Sequence, residues 1–143
     1  RLVGSEMCIR DSSKAMVNSG VADVVATYII GMTEHYGPQV LLAAVFIITN
    51  LFTELITNNA AAALAFPLAL SISSQMGVSP MPFFVVICMA ASASFSTPIG
   101  YQTNLIVQGI GNYKFTDFVR IGLPLNIIAF LISIFLIPLI WPF

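Results

Sequence analysis

Thr57, Asn58 and Asn59 form a polar triplet between two apolar runs, residues 40–56 and 60–70. A transmembrane helix needs about 20 consecutive apolar residues, and each run has that length or less. Inside a bilayer, an interrupted helix persists only where protein or a water-filled cavity covers the exposed backbone. We therefore predict that the chain forms a re-entrant helical hairpin, with the polar triplet at its tip and within the bilayer.

The composition requires a lipid environment. Of the 143 residues, 58% are hydrophobic and 8% are charged, and the mean hydropathy is +0.96. Such a chain cannot cover a folded surface with polar side chains, so we predict an all-α, multi-pass membrane protein. The sequence has no run of basic residues, which argues against nucleic acid as a partner.

A second polar interruption, residues 96–104, divides the next apolar segment. It contains Pro98 and Gly100, which disfavour a continuous helix. We predict a broken transmembrane helix over residues 81–113 and assign the hairpin to residues 39–76. Two tightly joined full spans would return the chain to the same side of the membrane as a re-entrant hairpin does, so this alternative stays open.

Two further segments complete the predicted membrane region: a helix over residues 13–33 and a final transmembrane helix over residues 121–142. Residues 1–12 are treated separately, because the stretch from Met7 to Asp11 resembles the translated read-through of a sequencing adapter. We exclude that segment from the fold. An adapter marks an interrupted read rather than a start codon, so we expect this chain to be a fragment of a longer protein.

The two interruptions create helix starts, which are places where an anion can bind. A helix N-terminus carries about half a positive charge and several free N–H groups. We predict that the returning hairpin arm begins at Asn59 or Ala60, with Asn58 and Asn59 as caps. We predict that the second half-helix begins near Asn104, with Thr103 as its cap. If the breaks meet near mid-membrane, the two helix ends bind one anion without any Lys or Arg.

The same loops offer oxygen atoms to a cation. Carbonyl groups of the unwound residues 96–103, together with the side chains of Thr57, Asn58 and Thr97, are the kind of ligand that sodium prefers. Adjacent sites would couple the two ions, because sodium shapes the loops and offsets the charge of the anion. Asn and Thr in membrane helices often only bridge helices, at about 0.6 kcal/mol per contact. Two polar breaks in adjacent segments favour a transport site over that structural role.

Glu54 is the only acidic residue within the apolar arms, and it lies one helical turn before the triplet. An intramembrane carboxylate is a functional hypothesis by default. It could neutralise a cation or hold backbone N–H groups of the hairpin, and we favour the structural role. The sequence shows no nucleophile–base pair and no metal-ligand cluster, so we predict no enzyme activity and no cofactor besides a coupling sodium ion.

Residues 53–60, Thr-Glu-Leu-Ile-Thr-Asn-Asn-Ala, resemble the Ser-Asn-Thr hairpin motif in the second repeat of the divalent anion:sodium symporter (DASS) family. Residues 96–104, from Ser-Thr-Pro to Asn, resemble the Ala-Thr-Pro…Asn loop of that family. The resemblance covers residues 13–143 and implies the C-terminal part of the second of two inverted repeats. It also implies a homodimer with elevator-type movement, whose N-terminal repeat holds a first sodium site and half of the anion site.

The resemblance also implies which residues bind the two ions. The anion would be bound by Thr57, Asn58, Asn59, Thr97, Pro98 and Asn104. The sodium ligands would come from Thr57, Asn58, Ser96, Thr97 and Gly100. The implied partners are therefore a small divalent anion, sodium, the lipid bilayer and a second copy of the protein.

The sequence departs from the family pattern in both motifs. Thr57 stands in place of Ser and Asn59 in place of Thr, so a hydroxyl and an amide have exchanged places. The loop carries additional residues, 99–103, in a form similar to larger permeases that are often assigned to sulfate. We therefore predict sodium-coupled symport of a divalent anion, sulfate before dicarboxylate, in a bacterial inner or plasma membrane. The alternatives are a channel, a structural membrane subunit, or a proton-coupled or exchange carrier of the same superfamily.

Overall fold

The computed structural model describes residues 11, 14–15, 18–33 and 37–143, and all regular elements in this part of the chain are helices. The predicted all-α class is confirmed for these residues. The helices are α1 (Val21–Thr33), α2 (Pro38–Leu55), α3 (Asn58–Met76), α4 (Met81–Ser92), α5 (Gln102–Gly111) and α6 (Phe115–Ile140). The expected adapter segment, residues 1–12, lies outside the described residues apart from Asp11.

Two of the helices, α2 and α6, are long and apolar enough to cross a membrane. The start of α6 at Phe115 is fixed by a capping contact, in which the backbone N–H of Lys114 donates to Asp117 Oδ2 over 2.9 Å. A carboxylate in the first turn also interacts favourably with the positive end of the helix dipole. This capping contact starts the helix before residue 121, where the apolar pattern alone placed it.

The helices α4 and α5 are each too short to cross a membrane. With 12 and 10 residues, they are about 18 Å and about 15 Å long at 1.5 Å per residue. The hydrocarbon core of a bilayer is about 30 Å thick. The two helices therefore match one crossing in combined length, and the non-helical residues 93–101 lie between them.

The core lies where α2, α3 and α4 pack against one another. Its largest fully buried side chains include Phe46 and Leu42 of α2, Ile72 of α3 and Phe83 of α4. Small residues recur on the buried face of α3, which allows its neighbours to approach closely. Those alanines are Ala61, Ala65 and Ala69, all without solvent exposure. On the outside of this core, α6 packs against α2 and α4.

Polar contacts attach α1 to α3. The hydroxyl of Ser71 donates to Asp23 Oδ1, and Gln75 Nε2 donates to Ser71 Oγ over 3.2 Å. Thr27 Oγ1 lies 3.1 Å from Gln75 Oε1 and completes the cluster. Because Asp23 is exposed, water competes for its carboxylate, and the cluster contributes little net stability.

The half-helix α5 stands apart from the others. Among the described helices, none packs against it. Its apolar side chains are accordingly exposed, as with Leu105, Ile106 and Ile110. The position of α5 relative to the core therefore depends on the segments at its two ends. The one before it, residues 93–101, we call the α4–α5 loop.

Candidate functional site

The two interruptions predicted from the sequence lie next to each other. The last turn of α2 contacts the end of α4, because Thr53 Oγ1 lies 2.8 Å from the carbonyl oxygen of Ala91. The same hydroxyl lies 2.8 Å from Asn58 Oδ1, at the start of α3. Ser94 of the α4–α5 loop donates back to the carbonyl oxygen of Thr53 over 3.2 Å. Thr53 therefore joins the start of α3 to the second break.

The carboxylate of Glu54 holds the α4–α5 loop. Its Oε1 accepts the backbone N–H of Ser96 over 3.0 Å, and its Oε2 accepts the backbone N–H of Thr97 over 2.8 Å. The hydroxyl of Thr97 donates to the carbonyl oxygen of Glu54 over 2.9 Å. Glu54 is only 8% exposed, so these donors replace the water that it loses on burial. The carboxylate thus organises the second break rather than the N–H groups of its own hairpin.

Gly100 brings the loop into contact with the end of α2. It is buried, and a Cβ at this position would clash with Ser94 Oγ and with the carbonyl oxygen of Thr53. The backbone N–H of Gly100 makes a long contact of 3.4 Å with Thr97 Oγ1. Because it has no Cβ, glycine allows the backbones of the two breaks to approach this closely, and any other residue type would push them apart.

The helix starts differ from those expected from the sequence. The N-cap residues are Thr57 for α3 and Tyr101 for α5, both with extended backbone. The expectation that Asn58, Asn59 and Thr103 act as caps was wrong, because all three lie inside the first turn. Neither N-cap side chain makes a capping hydrogen bond. The first N–H groups of both helices thus lack the usual side-chain partner and are suited to an anion.

The structure brings some of the expected site residues together at the second break and leaves others exposed at the start of α3. Those in or against the network of the second break are Asn58, Ser96, Thr97, Pro98, Gly100 and Asn104. Asn104 is held only weakly, since its Nδ2 lies 3.5 Å from the carbonyl oxygen of Thr97. Thr57 and Asn59 are exposed at the start of α3.

Two cavities flank the second break. One of about 340 Å³ lies between α5 and α6 and includes Phe95, Asn104 and Asp117 in its lining. The other, of about 410 Å³, lies between α2 and α6, with Glu54 and Ser96 in its lining. The polar triplet lines neither cavity. An anion pocket at the start of α3 would therefore need walls from outside these described helices.

Sequence reasoning missed two amide side chains of the site. Asn50 Nδ2 donates over 2.6 Å to the carbonyl oxygen of Ala93, at the end of α4. Asn126, from α6, places its Nδ2 2.9 Å from Glu54 Oε1 and 2.8 Å from Ser96 Oγ. Both residues are isolated amides in apolar helices, which is a signal that could have found them.

Comparison with known proteins identifies the family of this chain. Residues 12–142 match the model of the CitMHS family, described as citrate transporters. This chain belongs to the CitMHS family. Membership confirms the predicted relationship to DASS-type permeases, and the family together with the apolar helices identifies a multi-pass membrane protein.

Individual relatives of this CitMHS chain are transporters by name. It is 42% identical to an uncharacterized transporter of Synechocystis sp. over 127 residues, which are 89% of the chain and 21% of the relative. It is 37% identical to the probable sodium/sulfate cotransporter 3 of Chlamydomonas reinhardtii over 126 residues, 87% of the chain and 14% of the relative. It is 24% identical to the sodium-dependent dicarboxylate transporter SdcS of Staphylococcus saprophyticus over 130 residues, 91% of the chain and 25% of the relative. The chain therefore spans a quarter or less of these relatives.

Proposed function

We propose that this chain is the C-terminal part of the second repeat of a longer, homodimeric, sodium-coupled symporter of divalent anions. The observation that carries the proposal is the contact between the two breaks, made by Thr53, Glu54 and Gly100. Each break consists of a non-helical segment followed by a helix start, and this contact joins the first break to the second. Two such breaks side by side are the arrangement by which discontinuous membrane helices bind an anion and a cation together.

The helix starts supply the anion half of the proposed site. The first turns of α3 and α5 have N–H groups without a capping side chain, and both carry the positive end of a helix dipole. The basic side chains of the described region, Lys14, Lys114 and Arg120, are all exposed. An anion at the breaks would therefore be bound by backbone dipoles and by the hydroxyl and amide groups of Thr57, Asn58 and Asn59.

The α4–α5 loop supplies the cation half. Its non-helical backbone leaves carbonyl groups outside regular helix bonding, and Ser96 and Thr97 add hydroxyl oxygens. Sodium bound there would offset the charge of the anion. Binding of one ion would then favour binding of the other, which is the thermodynamic requirement for coupling.

The depth of the loop supports re-entry of the α2–α3 hairpin. With 18 and 19 residues, these helices are about 27 Å and about 28 Å long, so length alone allows two full spans. The last turn of α2, next to the link, however, contacts the α4–α5 loop, which we infer separates the two halves of one crossing. A helix end in contact with the middle of a crossing would lie well inside the bilayer, away from the headgroups, which supports re-entry.

The relatives favour sulfate over dicarboxylate as the substrate. The relative named a sodium/sulfate cotransporter is 37% identical to this chain, whereas the one named a sodium-dependent dicarboxylate transporter is 24% identical. The role is transport rather than catalysis, with sodium as the coupling ion and no other cofactor. We assign the protein to a bacterial inner or plasma membrane.

Uptake of labelled sulfate and succinate into vesicles that contain the full-length transporter tests the proposal. Uptake should require an inward sodium gradient, and Asn58→Ala should abolish it while the amount of protein in the membrane stays constant. Asn18→Ala, the same substitution at an exposed residue remote from the breaks, is the matched control and should transport normally. Uptake that is independent of sodium, or conduction without coupling, would refute the symporter and favour a carrier of another type or a channel.

A further inference from the structure

One face of α6 is built to contact the α4–α5 loop. Gly122 and Asn126 lie one helical turn apart and share that face. A Cβ at Gly122 would clash with the carbonyl group of Phe95 and would lie 2.7 Å from the Cα atom of Ser96. The backbone of α6 therefore touches the loop directly, which a final helix that served only as a membrane anchor would not need.

The orientation of the Asn126 amide is determined by its neighbours. Its Nδ2 contacts Glu54 Oε1 at 2.9 Å, Ser96 Oγ at 2.8 Å and, more distantly, Asn50 Oδ1 at 3.5 Å. A carboxylate oxygen only accepts, so the amide nitrogen must face Glu54. The opposite atom, Asn126 Oδ1, is buried and finds no donor in the described part of the chain. A buried acceptor without a partner is unfavourable, so the contacts of Nδ2 outweigh this loss.

We propose that Asn126 is a positioning residue for the transport site, which it reaches only through Glu54 and Ser96. This inference rests on the proposed function. Glu54 holds the N–H groups of Ser96 and Thr97, and Asn126 in turn holds Glu54. Loss of the amide frees the carboxylate to turn, and the loop loses its fixed relation to the end of α2. The site residues themselves remain intact.

This arrangement predicts a specific kinetic effect. A loop that is ordered in advance binds sodium without further loss of entropy, whereas a loosened loop must be ordered by the ion. Asn126→Leu should therefore raise the sodium concentration for half-maximal sulfate uptake by about ten-fold, the effect of losing one hydrogen bond to a charged group. The maximal rate at saturating sodium should stay within about two-fold of wild type, because sodium then restores the ordered loop.

A second substitution separates hydrogen bonding from packing. Asn126→Asp keeps the size of the side chain but places a second carboxylate against that of Glu54. It should impair uptake more than Asn126→Leu does, because Asn126→Leu only removes the hydrogen-bond donor. If only volume mattered, the order would be reversed. Ser133→Ala, a buried α6 position whose hydroxyl bonds only to its own helix in the described contacts, is the matched control and should behave as wild type.

Cysteine labelling at the α4–α5 loop tests the positioning role of Asn126 without requiring transport. A cysteine at the exposed position Phe95, in a Cys88→Ser background, reports access to the loop in membranes of the full-length protein. Asn126→Leu should raise its labelling rate several-fold without sodium, and sodium should reverse the change. If Asn126→Leu does not accumulate, Asn126→Ser is measured with the same expectation.

Two results would distinguish a failure of the proposed symporter function from a failure of the positioning role of Asn126. Wild-type protein that fails to transport while Asn126→Leu still changes labelling at the loop would refute the proposed function and support the positioning role. Sodium-dependent uptake whose half-saturation and loop labelling are both unaffected by Asn126→Leu would overturn the positioning role and leave the symporter intact.

Discussion

Gly100→Ala should displace the α4–α5 loop from the end of α2. The added methyl group would clash with two atoms, Ser94 Oγ and the carbonyl oxygen of Thr53. The hydroxyl can rotate away, although it then loses its 3.2 Å hydrogen bond to Thr53. The carbonyl oxygen cannot, because it belongs to the last turn of a helix packed in the core. The loop must therefore move.

The expected magnitude follows from these two effects. Overpacking a tight site costs about 1–3 kcal/mol, and a lost hydrogen bond adds about 1 kcal/mol. We expect the free energy of unfolding to fall by about 2–4 kcal/mol in Gly100→Ala. Gly109→Ala is the matched control, because its Cβ would meet no heavy atom within 4 Å. Within helix α5, that substitution should stabilise the protein by about 0.5–1 kcal/mol.

Thermal unfolding of the purified full-length protein in detergent measures the loss of stability. Sodium-dependent sulfate uptake measures the consequence for transport. Gly100→Ala should unfold at a clearly lower temperature than Gly109→Ala and should lose at least about ten-fold of its uptake. Sodium should narrow the difference in unfolding temperature if it binds the displaced loop. Equal unfolding temperatures and equal uptake for the two variants would show that the loop does not contact α2 as described.

Three smaller perturbations test individual contacts by the same unfolding assay. Glu54→Gln should cost about 1–3 kcal/mol, since the amide NH2 group replaces one carboxylate oxygen and cannot accept the loop N–H group that faces it; an unchanged midpoint would contradict this. Asn50→Leu removes the donor to the carbonyl oxygen of Ala93 and should cost about 1–2 kcal/mol, unlike a substitution on the lipid-facing side of α2. Ser71→Ala should cost about 1 kcal/mol or less, because its partner is exposed, and a larger loss than this would show that the α1–α3 contact is buried.

The fold class could be predicted because hydropathy is a local property. An apolar chain interrupted by Thr57 to Asn59 has few alternatives to helices in a membrane, and proline and glycine in the second break disfavour helix whatever surrounds them. Exact helix starts were less predictable. The expected caps were displaced because Thr57 and Tyr101 adopt extended backbone, and because Asn58 is engaged by Thr53 across the break.

The partners of Glu54 could not be predicted in the same way. Its donors lie more than 40 residues away in the chain, so no local pattern indicates them. The role of α6 was missed for the same reason, since Asn126 gains its contacts only when the loop is packed against Gly122. Long-range polar contacts in an apolar chain depend on tertiary packing, and the sequence alone indicates only that an isolated amide or carboxylate needs some partner.

The charge at the second break predicts that the proposed site binds sodium before its anion. Glu54 accepts hydrogen bonds from three donors, and in the described contacts no Lys or Arg pairs with it. At an effective dielectric constant of 20, a carboxylate repels a divalent anion by about 5 kcal/mol for an assumed separation of about 7 Å. At the usual value of about 0.3–1 kcal/mol per unit charge, the helix dipoles at the starts of α3 and α5 together contribute about 1–4 kcal/mol to binding of a divalent anion. They therefore fall short of cancelling this repulsion unless a cation binds first. Sulfate binding measured in potassium instead of sodium should accordingly be negligible, and equal binding in the two salts would refute this ordering.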